Sequence, residues 1–201
     1  MPLNPFATFD CLYFGSWLQQ QISGFSAAEL HLLSYLACLL GLYRAQPQTD
    51  WGYAFVGTEL GAPFSAEIEA ALQSLERWGY FTSKPDRLQM TAAAQEKLEA
   101  LLEQFLYRER IECLKAAASS ILAFSVGTVR EALGQQPDLR RAKNVPGSRA
   151  LMEEAALDEL YRDFDVLRRA LQNTGTDLRL PAVLWITALF KGIPEEGAAQ
   201  T

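Results

Sequence analysis

The chain has 201 residues, 49% hydrophobic and 21% charged, a balance that suits a folded protein with one core or two small ones and excludes extended disorder, collagen and mucin-like stalks. Its 18 Lys and Arg against 24 Asp and Glu give a formal charge of −6, so the whole chain is repelled by phosphate backbones and any DNA contact has to be local. The acidic excess lies early: residues 1–100 carry five Lys/Arg and ten Asp/Glu.

The start, Met1-Pro2-Leu3-Asn4-Pro5, lacks the basic and then apolar run of a secretory signal, and a cytoplasmic location is expected. Phe9, Leu12, Tyr13, Trp17 and Leu18 recur near helical spacing, which predicts a first helix from Phe9 to Gln21 closed by Gly24. Ser26-Ala27-Ala28-Glu29 has the form of a capping box, so a second helix should run from Ala27 to about Arg44. It is apolar around most of its circumference, as a central helix must be. Its stretch Leu30 to Tyr43 is broken by His31, Ser34 and Gly41 and is shorter than the roughly 20 residues that span a bilayer; no membrane helix is expected.

After a loop at Gln46 to Gly52, Tyr53 to Leu60 is expected to form a short helix stopped by Gly61. Ala62-Pro63-Phe64 makes a turn, and Ser65 caps a helix from Ala66 to Trp78 that Gly79 ends. Tyr80-Phe81-Thr82 and Leu88-Gln89-Met90 flank the turn Ser83 to Arg87 as two short strands, and Thr91 caps the next helix. Helix, turn, helix and strand pair together read as a winged helix-turn-helix.

From Thr91 the pattern stays helical to a bend near Phe124 to Gly127, and a short helix follows from Thr128 to Leu133. Gln135 to Ser148 reads as a linker. Ser148 is expected to cap a helix from Arg149 to about Asn173 with Gly175 beyond it, and Leu180-Pro181 to open a last helix, Ala182 to Lys191, before a polar tail from Pro194 to Thr201. The fold class expected is mostly α: a winged-helix domain with a small β-wing over residues 1–106, then a helical C-terminal domain over residues 107–201, joined by a long shared helix.

The sequence offers little for catalysis. His31 is the single histidine, sits in the first turn of a structural helix, and has no Ser, Cys or carboxylate tied to it by a known motif. Glu153, Glu154, Asp158, Glu159, Asp163 and Asp165 alternate with Arg162, Arg168 and Arg169, as on a solvated helix face. Pro137-Asp138 with Lys143 is a faint echo of nuclease acid and lysine residues without their Glu-x-Lys. Neither G-x-x-x-x-G-K-[ST] nor G-x-G-x-x-G occurs. Cys11, Cys38 and Cys113 are an odd, widely spaced set with no CxxC and are expected as free, largely buried thiols. An enzyme is not expected, nor a cofactor or metal.

The default role of a winged helix is DNA reading through its second helix. Here that helix offers Glu67, Glu69 and Glu76 against Arg77, with Gln73 and Arg77 alone of the usual base and backbone readers. The unit is therefore expected to dock protein. Aromatic residues crowd two segments, and Phe6, Trp17, Trp51, Tyr53, Phe55 and Phe64 are the candidate interface. Lys84 and Arg87 on the wing, with Arg130, Arg140, Arg141, Lys143 and Arg149, are the residues expected nearest DNA; the last five also read as a solvated loop. The alternative is a dimeric winged-helix transcription regulator.

Leu36 to Tyr43, Asp50-Trp51-Gly52-Tyr53-Ala54-Phe55 and Ala62-Pro63-Phe64-Ser65 resemble the middle, or third, component of bacterial ABC-three-component anti-phage systems of the Lamassu type. The resemblance extends through Arg108, Arg110, Ala116 to Ala118, Leu160-Tyr161, Phe164, Pro181-Ala182 and Trp185. It implies a non-enzymatic accessory subunit that joins an SMC-like ABC ATPase to a nuclease effector, meets DNA weakly or indirectly, and is similar in plan to the winged-helix subunits of condensin-like machines. No active-site residue carries over, because this subunit has none in the family.

Overall fold

A computed structural model describes residues 3–85, 87–171 and 177–191; Asp86, the expected helix end at Asn173 with Gly175, and the tail from Pro194 lie outside them. Asn4 opens the first helix, α1 (Pro5–Ile22), its side chain accepting from the backbone N–H groups of Phe6 and Ala7 with Pro5 in the first turn. The helix thus starts a turn earlier than its apolar spacing suggests. The capping box forms as expected: Ser26 and Glu29 each accept from the other's backbone N–H at the start of α2 (Ala27–Tyr43). Thirteen of the residues of α2 are buried, because α1 and α3 (Ala66–Arg77) pack on one side and α5 (Arg108–Ala123) lies along the other.

The segment Tyr53 to Leu60 is not helical: it runs extended to Gly57 and then turns at Glu59 and Leu60, where the Gly61 N–H donates to the Thr58 carbonyl at 2.8 Å. A 3₁₀ turn (Gln48–Trp51) leads into it, and Trp51, Tyr53, Phe55 and Gly57 are buried in alternation with Gly52, Ala54 and Val56, the period of a strand. Strand β1 (Val56–Gly57) pairs antiparallel with β2 (Pro63–Phe64) and with β5 (Arg149–Ala150), so the sheet order is β2-β1-β5. The expected linker contains α7 (Pro137–Lys143), whose Leu139 and Ala142 are buried. Arg149 belongs to β5, and the next helix, α8, runs Glu154–Ala170.

Strands β3 (Phe81–Lys84) and β4 (Arg87–Met90) form the expected hairpin after α3, and Phe25 adds a single antiparallel bridge to Leu88. Thr91 caps α4 (Ala92–Leu102). The long shared helix is broken: Gln104 is extended and Phe105–Tyr107 make a 3₁₀ turn before α5. The break lets Tyr107 stack on Phe9, with ring centroids 4.0 Å apart, an arrangement a continuous helix would forbid. Ser125 caps α6 (Val126–Leu133), and α9 (Arg179–Lys191) packs on α5 and α6.

Nine α-helices and short strands make the described residues mostly helical. Buried side chains from both sides of residue 106, among them Phe9, Leu36, Cys113, Ala117 and Phe164, belong to one continuous cluster. Cys11, Cys38 and Cys113 are unpaired and buried in it. No single helix among the described residues is long and apolar enough to cross a membrane; α5 with its preceding turn and α6 together have the length but bend by 113°.

Candidate protein-docking site

Helix α3 seats Ile68, Ala71, Leu72 and Leu75 in the core, which turns Glu69, Gln73 and Glu76 outward over the hairpin. Between them lies a groove of about 310 Å³, with these residues on one wall and Lys84, Arg87 and Leu88 on the other. Glu76 accepts a hydrogen bond from the Ser83 hydroxyl, and Glu69 from the Gln73 amide at 3.1 Å. Arg87 is already committed: its Nη1 donates to the Gly24 carbonyl at 2.9 Å and lies 3.8 Å from Glu29. The groove presents as many carboxylates as cations, and one of the cations is held by the protein itself.

His31 ties α2 to the start of α3. Its Nδ1 accepts the backbone N–H of Ser65 at 3.2 Å, its ring lies 4.8 Å from that of Phe64, and Nε2 is 3.8 Å from Glu69. Burial lowers its pKa, against the opposing pull of Glu69. The acceptor at Nδ1 fixes the neutral tautomer with its hydrogen on Nε2. Ser65 stands at the N-cap position, but its hydroxyl donates to Glu67 at 2.9 Å and caps no backbone group.

The expected aromatic interface is corrected by burial. Trp51, Tyr53 and Phe55 are core residues, no more than 7% exposed, because the strand period points all three inward. Phe6, Trp17 and Phe64 are half-buried and pack against that core or its edge. The apolar side chains that do reach the surface include Trp78 at the end of α3 and Leu102, Phe105 and Leu106 at the break before α5.

What Trp51 and Tyr53 serve is a buried charge pair that the sequence reading did not single out. Arg110 donates to both oxygens of Asp10, each at 2.6 Å, and its Nη1 donates to the Trp51 carbonyl at 2.8 Å. The Tyr53 hydroxyl donates to Asp10, and the guanidinium carbon lies 3.7 Å from the centroid of a Trp51 ring. Burial works against the charge of Arg110, but the adjoining carboxylate outweighs it and holds the guanidinium pKa above its usual value. Burial, then Asp10, push the Tyr53 hydroxyl well up, which keeps it a donor.

This knot forms one wall of a second cavity of about 210 Å³, where Phe6, Trp51 and Leu106 meet Asp50, Glu109 and Arg110. The indole Nε1–H of Trp51 is buried without an acceptor. Two of the expected interface residues, Phe6 and Trp51, are thus brought together here; Trp17 and Phe64 are not among its lining residues.

The residues expected near DNA are dispersed and partly neutralised. Lys84 is exposed on β3. Arg141 bonds Asp138 at 3.3 Å and Glu159 at 2.8 Å, and Arg149 lies 3.8 Å from Glu153. Arg140 and Lys143 are exposed on α7, with Lys143 lying over Gly61, while Arg130 on α6 lines a separate cavity with Glu29 and Pro63. Asp138 serves structure, its other oxygen accepting the Met152 N–H at 3.0 Å. Among the described residues no group of three or more His, Cys, Asp or Glu is placed to hold a metal ion. No family model matches the chain, and neither the curated proteins nor the solved structures yield a match to it.

Proposed function

We propose that this chain is a non-catalytic adaptor subunit that docks partner proteins through a winged-helix unit. In this reading α1, the Phe25 bridge, α2, α3 and the β3–β4 hairpin make up the unit, with α2 and α3 as its helix-turn-helix and residues 44–65, which include β1 and β2, between them where shorter turns are usual. The observation that carries the proposal is the outward face of α3. Glu69 and Glu76 occupy the wall that would meet phosphates, and Arg87 on the opposite wall is spent on Gly24 and Glu29. A duplex would gain few released counterions there, whereas a protein partner with basic residues would find complementary charge.

The resemblance to the middle component of Lamassu-type systems supplies the partners of the proposal: an SMC-like ABC ATPase and a nuclease effector, with DNA met weakly or indirectly. Co-expression with the ATPase and nuclease of the same gene cluster tests it. The adaptor reading expects a stable complex on size exclusion, and a titration of the isolated chain with duplex DNA at physiological salt that shows no tight binding. A nanomolar duplex complex with a steep salt slope would instead identify a transcription regulator.

A further inference from the structure

We infer that the cavity at the α1 start, the Gln48–Trp51 turn and the α5 start receives a short segment of a partner protein in which an aliphatic or aromatic side chain adjoins a Lys or Arg. Two observations converge. The first is volume and lining: about 210 Å³ walled by Phe6, Trp51 and Leu106 exceeds the roughly 150 Å³ of an apolar cavity that takes up benzene, so one ring or branched aliphatic group fits. Beside its mouth the surface remains apolar, with Leu106 60% and Phe105 80% exposed on a three-residue turn, and Leu102 just before it. Arg108 stacks 5.1 Å from the Phe105 ring and holds that ring at the surface.

The second observation is charge. The positive charge of Arg110 is consumed by Asp10 in the buried pair, so the exposed carboxylates Asp50 and Glu109 set the sign of the mouth. Glu109 accepts from Gln46 at 3.0 Å, which holds it at the rim, and it forms no ion pair among the described residues. A seat with Phe6, Trp51 and Leu106 on its walls and two carboxylates at its rim, against the single exposed cation Arg108 beside it, favours a basic, apolar segment over an acidic one.

This inference rests on the protein-docking reading and names the chemistry of one partner. The test uses the full chain labelled with ¹⁵N, and two synthetic amphipathic peptides, one of Leu and Lys and one of Leu and Glu. The Leu-Lys peptide is expected to shift the indole resonance of Trp51, whose ring lines the cavity, while those of Trp78 and Trp185 stay, and the Leu-Glu peptide to leave all of them in place. Asp50→Lys and Glu109→Lys, both at exposed positions, should each weaken the Leu-Lys complex about tenfold, and Leu106→Glu should do the same by a separate route. A Trp51 resonance unmoved by either peptide, or binding indifferent to all three substitutions, overturns the inference. So does self-association of the unaltered chain that Leu106→Glu abolishes while peptide binding persists. The two readings fail separately. Retention of both the ATPase and the nuclease by a chain that carries both charge reversals leaves the adaptor standing and removes this site. Loss of ATPase association in the unaltered chain, with the Trp51 shift intact, does the reverse.

Discussion

Arg110 and Asp10, a hundred residues apart in the chain, face each other through two hydrogen bonds of 2.6 Å and exclude water from the contact. Bidentate geometry, the Trp51 carbonyl and the Tyr53 hydroxyl satisfy what the pair would otherwise lose on leaving water. Removing one partner strands the other charge in the core. Arg110→Met and Asp10→Leu should each destabilise the fold by about 3–5 kcal/mol in urea unfolding, while the double variant that carries both should cost less than the two singles together. Strictly additive losses would show that the pair is not coupled.

His31 gives the stability a pH dependence of known sign. Its folded pKa lies below the ordinary 6.5 through burial, so the unfolded chain binds a proton more readily, and the stabilisation is complete above 6.5 and lost as pH falls from there towards the folded value. Protonation would also set a new N–H on Nδ1 against the Ser65 N–H. The urea midpoint of the native chain should fall between about pH 7 and pH 5 more steeply than that of His31→Asn; identical slopes would remove His31 as the cause.

Gly57 is the point where β1 touches α7. A Cβ there would lie 2.5 Å from the Ala142 Cβ and 3.1 Å from Leu151 Cδ2. Gly57→Ala should therefore cost about 1–3 kcal/mol by overpacking, and adding Ala142→Gly should return part of the loss, since the space reopens at the expense of helix propensity. Thermal melts of the single and double variants decide it.

The three thiols report on opening of the core. Burial pushes Cys11 well up and Cys113 to about 11, and raises Cys38 also. A thiolate-selective reagent should react with none of them quickly in the native chain and with all three after denaturation; rapid labelling of one at neutral pH would locate a segment that opens readily.

Much of the helical frame could be read from residues alone: the capping box at Ser26 and Glu29, the apolar stripe of α3, the stop at Gly79 and the cap at Thr91. The failures have physical causes. Trp51, Tyr53 and Phe55 alternate with Gly52 and Ala54, a period-two signal of a strand that the stop at Gly61 before the turn makes resemble the end of a short helix. The break at Gln104 carries no Pro or Gly; it is imposed by the stacking of Tyr107 on Phe9 and by Arg110 reaching Asp10, contacts that no local window contains. The expected linker hid a helix because its polar residues outnumber Leu139 and Ala142, which suffice to seat one short turn on β1. At the candidate site, Phe6 and Trp51 are legible as large apolar residues in aromatic-rich segments, whereas Asp50 and Glu109 are 59 residues apart in the chain and are brought to one rim only by the fold.

The β2-β1-β5 sheet has a temporal cost. Val56 leaves the ribosome on the order of ten seconds before Ala150, the strand partner it needs. Throughout that interval the nascent chain carries an open strand edge and a long apolar helix bare on the side α5 will cover, a state that chaperones, or a co-translated partner, would be the first to meet.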